Sequence, residues 1–323
     1  MKDSDILLKL IHTLANDGKS YSNKQLCKVL EGKIHHIDID NYVKILKDGV
    51  NIFNGFKKDY YLDTQCQCLD KRKILTYLSP SKSRVTVLSV VDSTNQYLLE
   101  RISSLRSGDV CTAEYQIQGR GQHDRRWISP FGKNICLSFY WRLENRSEDI
   151  VCLSLMVGIV LAETLQRLGA KDVRLKWPND LYVNDKKLGG ILVEISGKAH
   201  DVSHVVIGVG INLTMQKSMI DIIGPNWTTL SETGIIINRN TLISQLINAL
   251  RLALQQFEYE GFKKFIHRWQ ALDNFFNRPV KLFINDLEII GIARGINSQG
   301  AILLEQQSKI NAYLARSISL RSL

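Results

Sequence analysis

The sequence predicts an α+β fold in three parts, and three features carry that reading. Short strand-like runs alternate with turns through the middle of the 323-residue chain. Long apolar-periodic stretches at 153–168 and 241–265 read as helices. The two ends differ in pattern, mostly helical at the N-terminus and all strand at the C-terminus. At roughly 100–200 residues per domain two or three domains are expected, and the changes of pattern place them at 1–64, 65–272 and 273–323. A hydrophobic fraction of 44% with 23% charged residues suits a globular chain with a substantial core. Only 5 Pro and 21 Gly exclude collagen-like or low-complexity architecture.

In the first part, Ile6, Leu7, Leu10, Ile11 and Leu14 form one apolar helix face. Ser22 is placed to cap a second short helix at 23–30. A third, at 37–48, turns Ile39, Tyr42, Val43 and Leu46 inward and ends before Gly49. Two short strands, 50–53 and 60–62, flank a lysine-rich tip. That order outlines a winged helix-turn-helix, although a generic small helical domain fits the pattern too.

A polar link at 63–73 leads into the second part. Strands are expected at 85–91, 111–118, 135–141, 173–176, 181–183, 190–195 and 205–212, and a helix at 93–103. Asn184-Asp185 and Gly197-Lys198 supply hairpin breaks. Antiparallel hairpins with helices to one side favour α+β over a doubly wound parallel sheet. From 280 onward, strands at 280–284, 289–295, 301–305 and 310–314 with turns at Asn285-Asp286 and Ser298-Gln-Gly300 read as a small β-barrel.

The formal charge is +10, yet the first 64 residues hold ten lysines and nine acidic residues. The excess therefore lies in the later parts, where an anionic ligand such as a nucleotide explains it as well as nucleic acid does. The longest apolar run, Val151 to Ala162, spans 12 residues and is too short to cross a bilayer. The N-terminus lacks a signal-peptide pattern. Six scattered cysteines give neither zinc spacing nor a disulfide framework, which suits a reducing, cytoplasmic setting with no membrane partner.

Candidate chemistry concentrates in the second part. Gly119-Arg-Gly-Gln-His-Asp-Arg-Arg-Trp127 is a glycine-opened basic loop after a strand. Its glycines allow close backbone approach, and Arg120, Arg125 and Arg126 can fork onto phosphate oxygens. Trp127 offers a face to an aromatic base. An exposed basic turn is the alternative, and no Gly-Lys-Ser/Thr follows to make a Walker A loop. Gly208-Val-Gly210 lacks the third glycine of a dinucleotide fingerprint. Lys176-Trp-Pro-Asn-Asp180 is a proline-locked turn presenting Asn179 and Asp180; Asp180 is a candidate for Mg²⁺ or for orienting an amine, and turn chemistry alone also accounts for it. Lys187, just before Gly189-Gly190, suits a phosphate or carboxylate as a point charge. No Ser-His-Asp set, HExxH motif or reactive cysteine setting is present, and Cys152 reads as inert core.

Val91-Asp-Ser-Thr-Asn-Gln96, Glu114-Tyr-Gln116, Gly119-Arg-Gly121, Trp127-Ile-Ser-Pro130, Lys176-Trp-Pro-Asn-Asp180, Lys187-Leu-Gly-Gly-Ile-Leu-Val-Glu194 and Gly208-Val-Gly-Ile-Asn212 together resemble the biotin–protein ligases. The N-terminal outline, Asp273-Asn-Phe-Phe-Asn-Arg-Pro-Val280 and Ser319-Leu-Arg-Ser322 narrow the resemblance to the bifunctional ligase and operon-repressor type, over nearly the whole chain. It implies a winged helix-turn-helix, a biotin/lipoate ligase-like catalytic domain with a mixed sheet, and an SH3-like β-barrel. It also implies activation of biotin by ATP and Mg²⁺ to biotinyl-5′-adenylate, then transfer to a lysine of the biotin carboxyl carrier protein of acetyl-CoA carboxylase. By the same resemblance, Ser93, Thr94, Asn95, Gln116, Arg120, Gly121, Gln122 and Lys187 would bind biotin. Arg125, Trp127, Asn179 and Asn212 would bind the nucleotide, and Lys187, Arg120 and Asp180 would be catalytic, with Asp180 also toward Mg²⁺. His35, His36, Lys57 and Lys58 would face operator DNA, and a homodimer formed along 190–195 is implied for the adenylate-bound state. The competing readings are a lipoate or octanoyl ligase of the same superfamily and a non-catalytic binding module.

The chain departs from the family loop GRGRxGR at two places, Gln122 for the second arginine and Asp124 for the third glycine. In the first part, Asp38 and Asp40 on the reading helix oppose a polyanion, so DNA affinity is expected to be weak. The segment Ala315-Arg316-Ser317 replaces the usual Gly-Gly-Glu, which affects the barrel's expected contacts with adenosine and carrier. Losing a guanidinium contact is worth roughly 1.5–3 kcal/mol, and the adenylate is therefore expected to leave this protein faster than a GRGRxGR enzyme. Equal dissociation rates, measured by stopped-flow chase of preformed adenylate, would contradict this.

Overall fold

The computed structural model describes residues 20–30, 52–54, 60–62, 68–143, 150–196, 203–215, 226–284, 287–314 and 318–322, with single positions at 6, 9, 10, 13, 14, 39 and 43. At the N-terminus, Ile6, Leu10 and Leu14 are helical and buried, as their spacing requires. Ser22 caps α1 (Asn23–Val29) through a capping box with Gln25. Strands β1 (Ile52–Asn54) and β2 (Tyr60–Leu62) form an antiparallel pair, and the backbones of Tyr21 and Tyr60 bridge α1 to it. Ile39 and Val43 are buried with them, in a cluster that also takes in Val90, Tyr115 and Phe131. His35, His36, Lys57, Lys58 and the 315–317 segment lie outside the described residues.

The polar link expected to run to residue 73 ends sooner. Asp70 accepts from the backbone amides of Arg72 and Lys73 and so starts a helix, α2 (Lys71–Thr76). Strand β3 (Val85–Val91) follows, then α3 (Thr94–Leu99), capped by Ser93. The helix expected over 93–103 stops at Leu99 and resumes only as a 3-10 turn at Ile102–Ser104. Next come β4 (Val110–Gln116), β5 (Asn134–Leu143), α4 (Ile150–Arg167), β6 (Arg174–Lys176), β7 (Asp180–Val183), β8 (Lys186–Ser196) and β9 (Ser203–Asn212).

These strands make one seven-stranded sheet in the order β3-β4-β5-β9-β8-β7-β6. β3 and β4 are parallel, whereas every other pair is antiparallel, so the sheet is mixed. The helices are not confined to one side. Alternation along β5 and β9 sends Leu137, Phe139, Val205 and Ile207 into the main core with α4 and the helix that follows β9, α5 (Arg239–Glu260). Tyr140 and Val206 face the other way and pack under Leu98 of α3. The single stretch expected at 241–265 is broken at Gly261, where φ is +66°, and the chain continues through a short turn into α6 (Ile266–Leu272).

The C-terminal residues form a five-stranded antiparallel sheet in the order β13-β12-β11-β10-β14, from β10 (Pro279–Ile284), β11 (Leu287–Ile296), β12 (Ile302–Gln306), β13 (Lys309–Tyr313) and β14 (Ile318–Ser322). β14 is short and serine-rich, and its apolar alternation is only Ile318 and Leu320, too little to declare a strand. This sheet is tied to the first. Trp177 Nε1 donates to the Gly300 carbonyl at 2.9 Å, Asn274 N to the Leu175 carbonyl at 2.8 Å, and Arg278 Nη1 to Asp185 at 2.7 Å. Among the described residues no helix is long and apolar enough to cross a membrane. Burial pushes the Cys111 thiol up to about 12 and Cys136 to about 11, so neither is a nucleophile.

Under the sheet sits a fully buried ion pair, Arg239 Nη1 to Glu114 Oε2 at 2.5 Å. Arg239 Nη2 also donates to the Asn134 carbonyl at 2.9 Å, and Glu114 accepts from the Leu69 amide. Removing one partner strands a buried charge, at about 3–5 kcal/mol. Glu114→Ala should therefore lower stability by that amount in urea unfolding, and Glu114→Leu/Arg239→Met together should cost much less than the sum of the two single changes. Additive losses would mean the two side chains are not coupled.

Candidate functional site

The basic loop between β4 and β5 forms the common wall of three cavities. A small one of about 60 Å³ lies between α3, the end of β4, and the glycines of β8 and β9. A second of about 430 Å³ lies between the loop, the β6–β7 turn and β14. A third of about 940 Å³ opens on the outer side of the loop, against Val151, Ser154 and 192–194.

The small cavity is a polar knot. Thr94 donates from its amide (2.9 Å) and its hydroxyl (3.0 Å) to Gln116 Oε1. Ser138 Oγ lies 2.7 Å from Thr94 Oγ1 and 2.5 Å from Asn95 Oδ1. Asn95 Nδ2 donates to Glu194 Oε2 at 2.8 Å, and Arg120 Nη2 reaches the same oxygen at 2.8 Å. Asn95 fits against β9 only because residue 208 is glycine: a Cβ there would stand 2.5 Å from Asn95 Oδ1. Ser93, Thr94, Asn95, Gln116, Arg120, Gly121, Gln122 and Lys187 all line this cavity, so the residues expected to act together do meet.

The second cavity carries the charge. Lys187 Nζ is 2.6 Å from Asp180 Oδ1, and Gly190 leaves the room for this pair, since a Cβ there would lie 3.3 Å from Lys187 Nζ and 3.5 Å from Asp180 Oδ1. Trp127 lies flat against β9; a Cβ at Gly210 would stand 2.5 Å from its ring, and its Nε1 is buried without a hydrogen-bond partner. Lys176 Nζ donates to Tyr182 Oη at 2.9 Å, and burial pushes its pKa below the usual lysine range. Arg125 and Arg126 line the rim.

Three expected residues behave differently from their expected parts. Asn179 spends its amide on the Ile191 carbonyl (2.9 Å), and Asn212 donates to the Thr228 carbonyl (3.2 Å) while accepting from Asn134 (3.0 Å). Both line the second cavity, each with one amide bond made within the protein. Asp180 pairs through Oδ1 with Lys187, and among the described residues no group of three potential metal ligands exists. The loop's unusual backbone falls at His123, whose φ is +56°, and not at Asp124, the residue standing in place of a family glycine.

Sequence reasoning missed Ser138, Glu194, Lys176 and Tyr182 as members of the site. Ser138 had a signal, as the polar interruption of the apolar run Ile135–Trp141. Glu194 had one too, since strand alternation puts it on the face of Gly190 and Leu192. Lys176 and Tyr182 depend on the β6–β7 pairing and were not legible.

Residues 87–212 match the Biotin/lipoate A/B protein ligase family. The chain is similar to the Escherichia coli (strain K12) bifunctional ligase/repressor BirA, at 50% identity over 323 residues, covering 100% of this chain and 99% of the relative. It is 30% identical over 248 residues to the biotin–[acetyl-CoA-carboxylase] ligase of Mycobacterium tuberculosis, covering 73% of this chain and 90% of that one. The structure superimposes on the biotin protein ligase from Aquifex aeolicus in complex with biotin and ATP, with a TM-score of 0.66 at 29% identity, over 74% of this chain and 99% of that one.

The close seat of Trp127 on Gly210 is open to a direct test. Gly210→Ala should displace the indole, change the near-UV circular dichroism and lower stability by about 1–3 kcal/mol, the usual cost of overpacking. An unchanged near-UV spectrum would show that the indole is not fixed there.

Proposed function

Because the chain belongs to the family of the bifunctional biotin ligase/repressors, we propose that it is a biotin–protein ligase working through the two joined cavities beside the basic loop. It activates biotin with ATP and passes it to a lysine of the biotin carboxyl carrier protein of acetyl-CoA carboxylase. The observation that carries the reading is the position of Lys187, which lines both the small polar cavity and the larger cationic one. A carboxylate entering from one side and a nucleotide phosphate from the other meet at that ammonium.

In this reading the small cavity takes the ureido end of biotin, with Ser93, Thr94, Asn95 and Gln116 as hydrogen-bonding groups and Gly121 and Gln122 closing over it. Lys187 and Arg120 meet the carboxylate. A carboxylate oxygen attacks the α-phosphorus of ATP, the bond to pyrophosphate breaks, and the electron pair leaves with pyrophosphate. The carrier lysine then attacks the carbonyl of the mixed anhydride and AMP departs. The protein contributes no nucleophile; it contributes proximity and placed positive charge. Arg125 and Trp127 serve the nucleotide, whereas Asn179 and Asn212 shape its wall. Asp180 holds Lys187 in place and is available to the incoming amine. Mg²⁺ enters as part of the substrate, bound to the ATP phosphates, as is usual where a protein offers few carboxylates.

The small cavity, at about 60 Å³, is far below the volume of an ordinary ligand site. Entry therefore requires the loop 119–126 to swing out, breaking the contact of Arg120 with Glu194.

In this reading the first 64 residues form a winged helix-turn-helix, in keeping with the relatives' name as repressors. The capped α1, the buried Ile39 and Val43 and the β1–β2 pair support that assignment. The same reading takes 65–272 as the catalytic domain and 273–323 as an SH3-like barrel, with dimerisation through 190–195, where β8 runs on beyond its pairing with β7.

Labelled biotin, ATP, Mg²⁺ and purified carrier domain supply the test, with a lysine-rich protein as control. Labelling of the carrier alone is expected. Labelling of both would mean that adenylate escapes. No labelling, with pyrophosphate exchange supported by lipoate or octanoate in place of biotin, would move the assignment to that sister activity; no exchange with any of these acids would leave a non-catalytic binding module.

A further inference from the structure

Lys176 has no part in the reading above, yet it is the least ordinary cation in the site. The antiparallel register of β6 and β7 sets Lys176 directly opposite Asp180, and that of β7 and β8 sets Asp180 opposite Gly190. The one carboxylate among the described residues lining the second cavity is Asp180, and Lys187 holds it at 2.6 Å. The hydrogen bond of Lys176 goes to a neutral group, the phenol of Tyr182, which is buried and whose pKa burial drives well above its usual value. Asp180 attracts Lys176 as well, but that one carboxylate is shared with Lys187. With Arg125, Arg126 and Lys187, Lys176 makes four cations against one acid around this space. The two lysines are also unequal in place, since Lys187 lines the small cavity and Lys176 does not.

Resting on the ligase reading, we propose that Lys176 is a catalytic residue of the adenylation step alone, contacting the β- and γ-phosphates of ATP and stabilising pyrophosphate as it leaves. Lys187 stands where the new carboxylate–phosphorus bond forms. Lys176 lines the second cavity and not the small one, on the nucleotide side, where the bond between the α- and β-phosphates breaks and negative charge builds on the departing oxygen. No proton changes hands at Lys176; its ammonium supplies charge in a partly desolvated wall, where charge acts more strongly than in water. In the second step pyrophosphate has gone, and Lys176 has nothing left to stabilise.

The two steps can be measured apart in the full-length chain. Lys176→Met should slow single-turnover formation of adenylate from biotin and ATP by about a hundredfold, as loss of one placed donor does elsewhere. It should weaken product inhibition by pyrophosphate, and leave biotin affinity and transfer from preformed adenylate to the carrier within about twofold of wild type. Lys176→Arg, which keeps the charge, should recover much of the adenylation rate and of the pyrophosphate inhibition. Equal slowing of both steps, loss of biotin affinity, or unchanged adenylation in Lys176→Met would overturn the proposal while leaving the ligase reading intact. A wild-type protein that makes no adenylate would overturn both.

Discussion

The contact between Lys187 and Asp180 is the constraint around which the rest of the site is built. It places a positive charge at the junction of two cavities, 2.6 Å from its carboxylate. It finds room beside Gly190, since a Cβ there would come close to the Lys187 ammonium. It needs β7 and β8 in their observed register, since a slip of one residue would turn the two side chains to opposite faces. A partly exposed ion pair of this sort contributes little to stability. Its effect is to keep a long, flexible lysine aimed at one point before any ligand arrives.

A second layer holds the first. Gln116, Thr94, Ser138, Asn95, Glu194 and Arg120 form one connected chain of hydrogen bonds from the end of β4 to the free end of β8. Deeper still, the Glu114–Arg239 pair reaches the Asn134 carbonyl, and the side chain of Asn134 donates to Asn212 in the wall of the second cavity. Polar groups in such places are costly unless satisfied, and satisfied ones fix geometry. Where the site contacts are closest, three glycines, 119, 208 and 210, give up a side chain so that a neighbour can come near.

Much of this was legible in the chain itself. The strands announce themselves by alternation, and Ser22 by capping chemistry, because these signals are local. The loop arginines and Lys187 could be singled out by residue type and spacing, and the Ser93–Asn95 segment by its resemblance to the biotin–protein ligases. What escaped depends on tertiary pairing. Ser138 and Glu194 matter because α3 lies across the sheet on the face that the expected one-sided arrangement left bare. A sequence also cannot tell that Asp180 will pair with a lysine seven residues later. Likewise, only the fold reveals the carbonyls of Ile191 and Thr228 that Asn179 and Asn212 bind.

The hydrogen bond from Trp177 to Gly300 has a mechanical consequence. β6 and β7 are the short outer strands of their sheet, and such a hairpin ordinarily frays. Here the C-terminal sheet clamps it, through Trp177, through Asn274 on Leu175 and through Arg278 on Asp185. The turn at Gly300 also lies against Cys152 and Leu155 of α4, where a Cβ would already be crowded. The clamp turns two marginal strands into a rigid bracket for Lys176 and Asp180. In the language of amide exchange, the hairpin's opening is tied to undocking of a separate sheet, so the lifetime of the site is set at a joint well away from the chemistry.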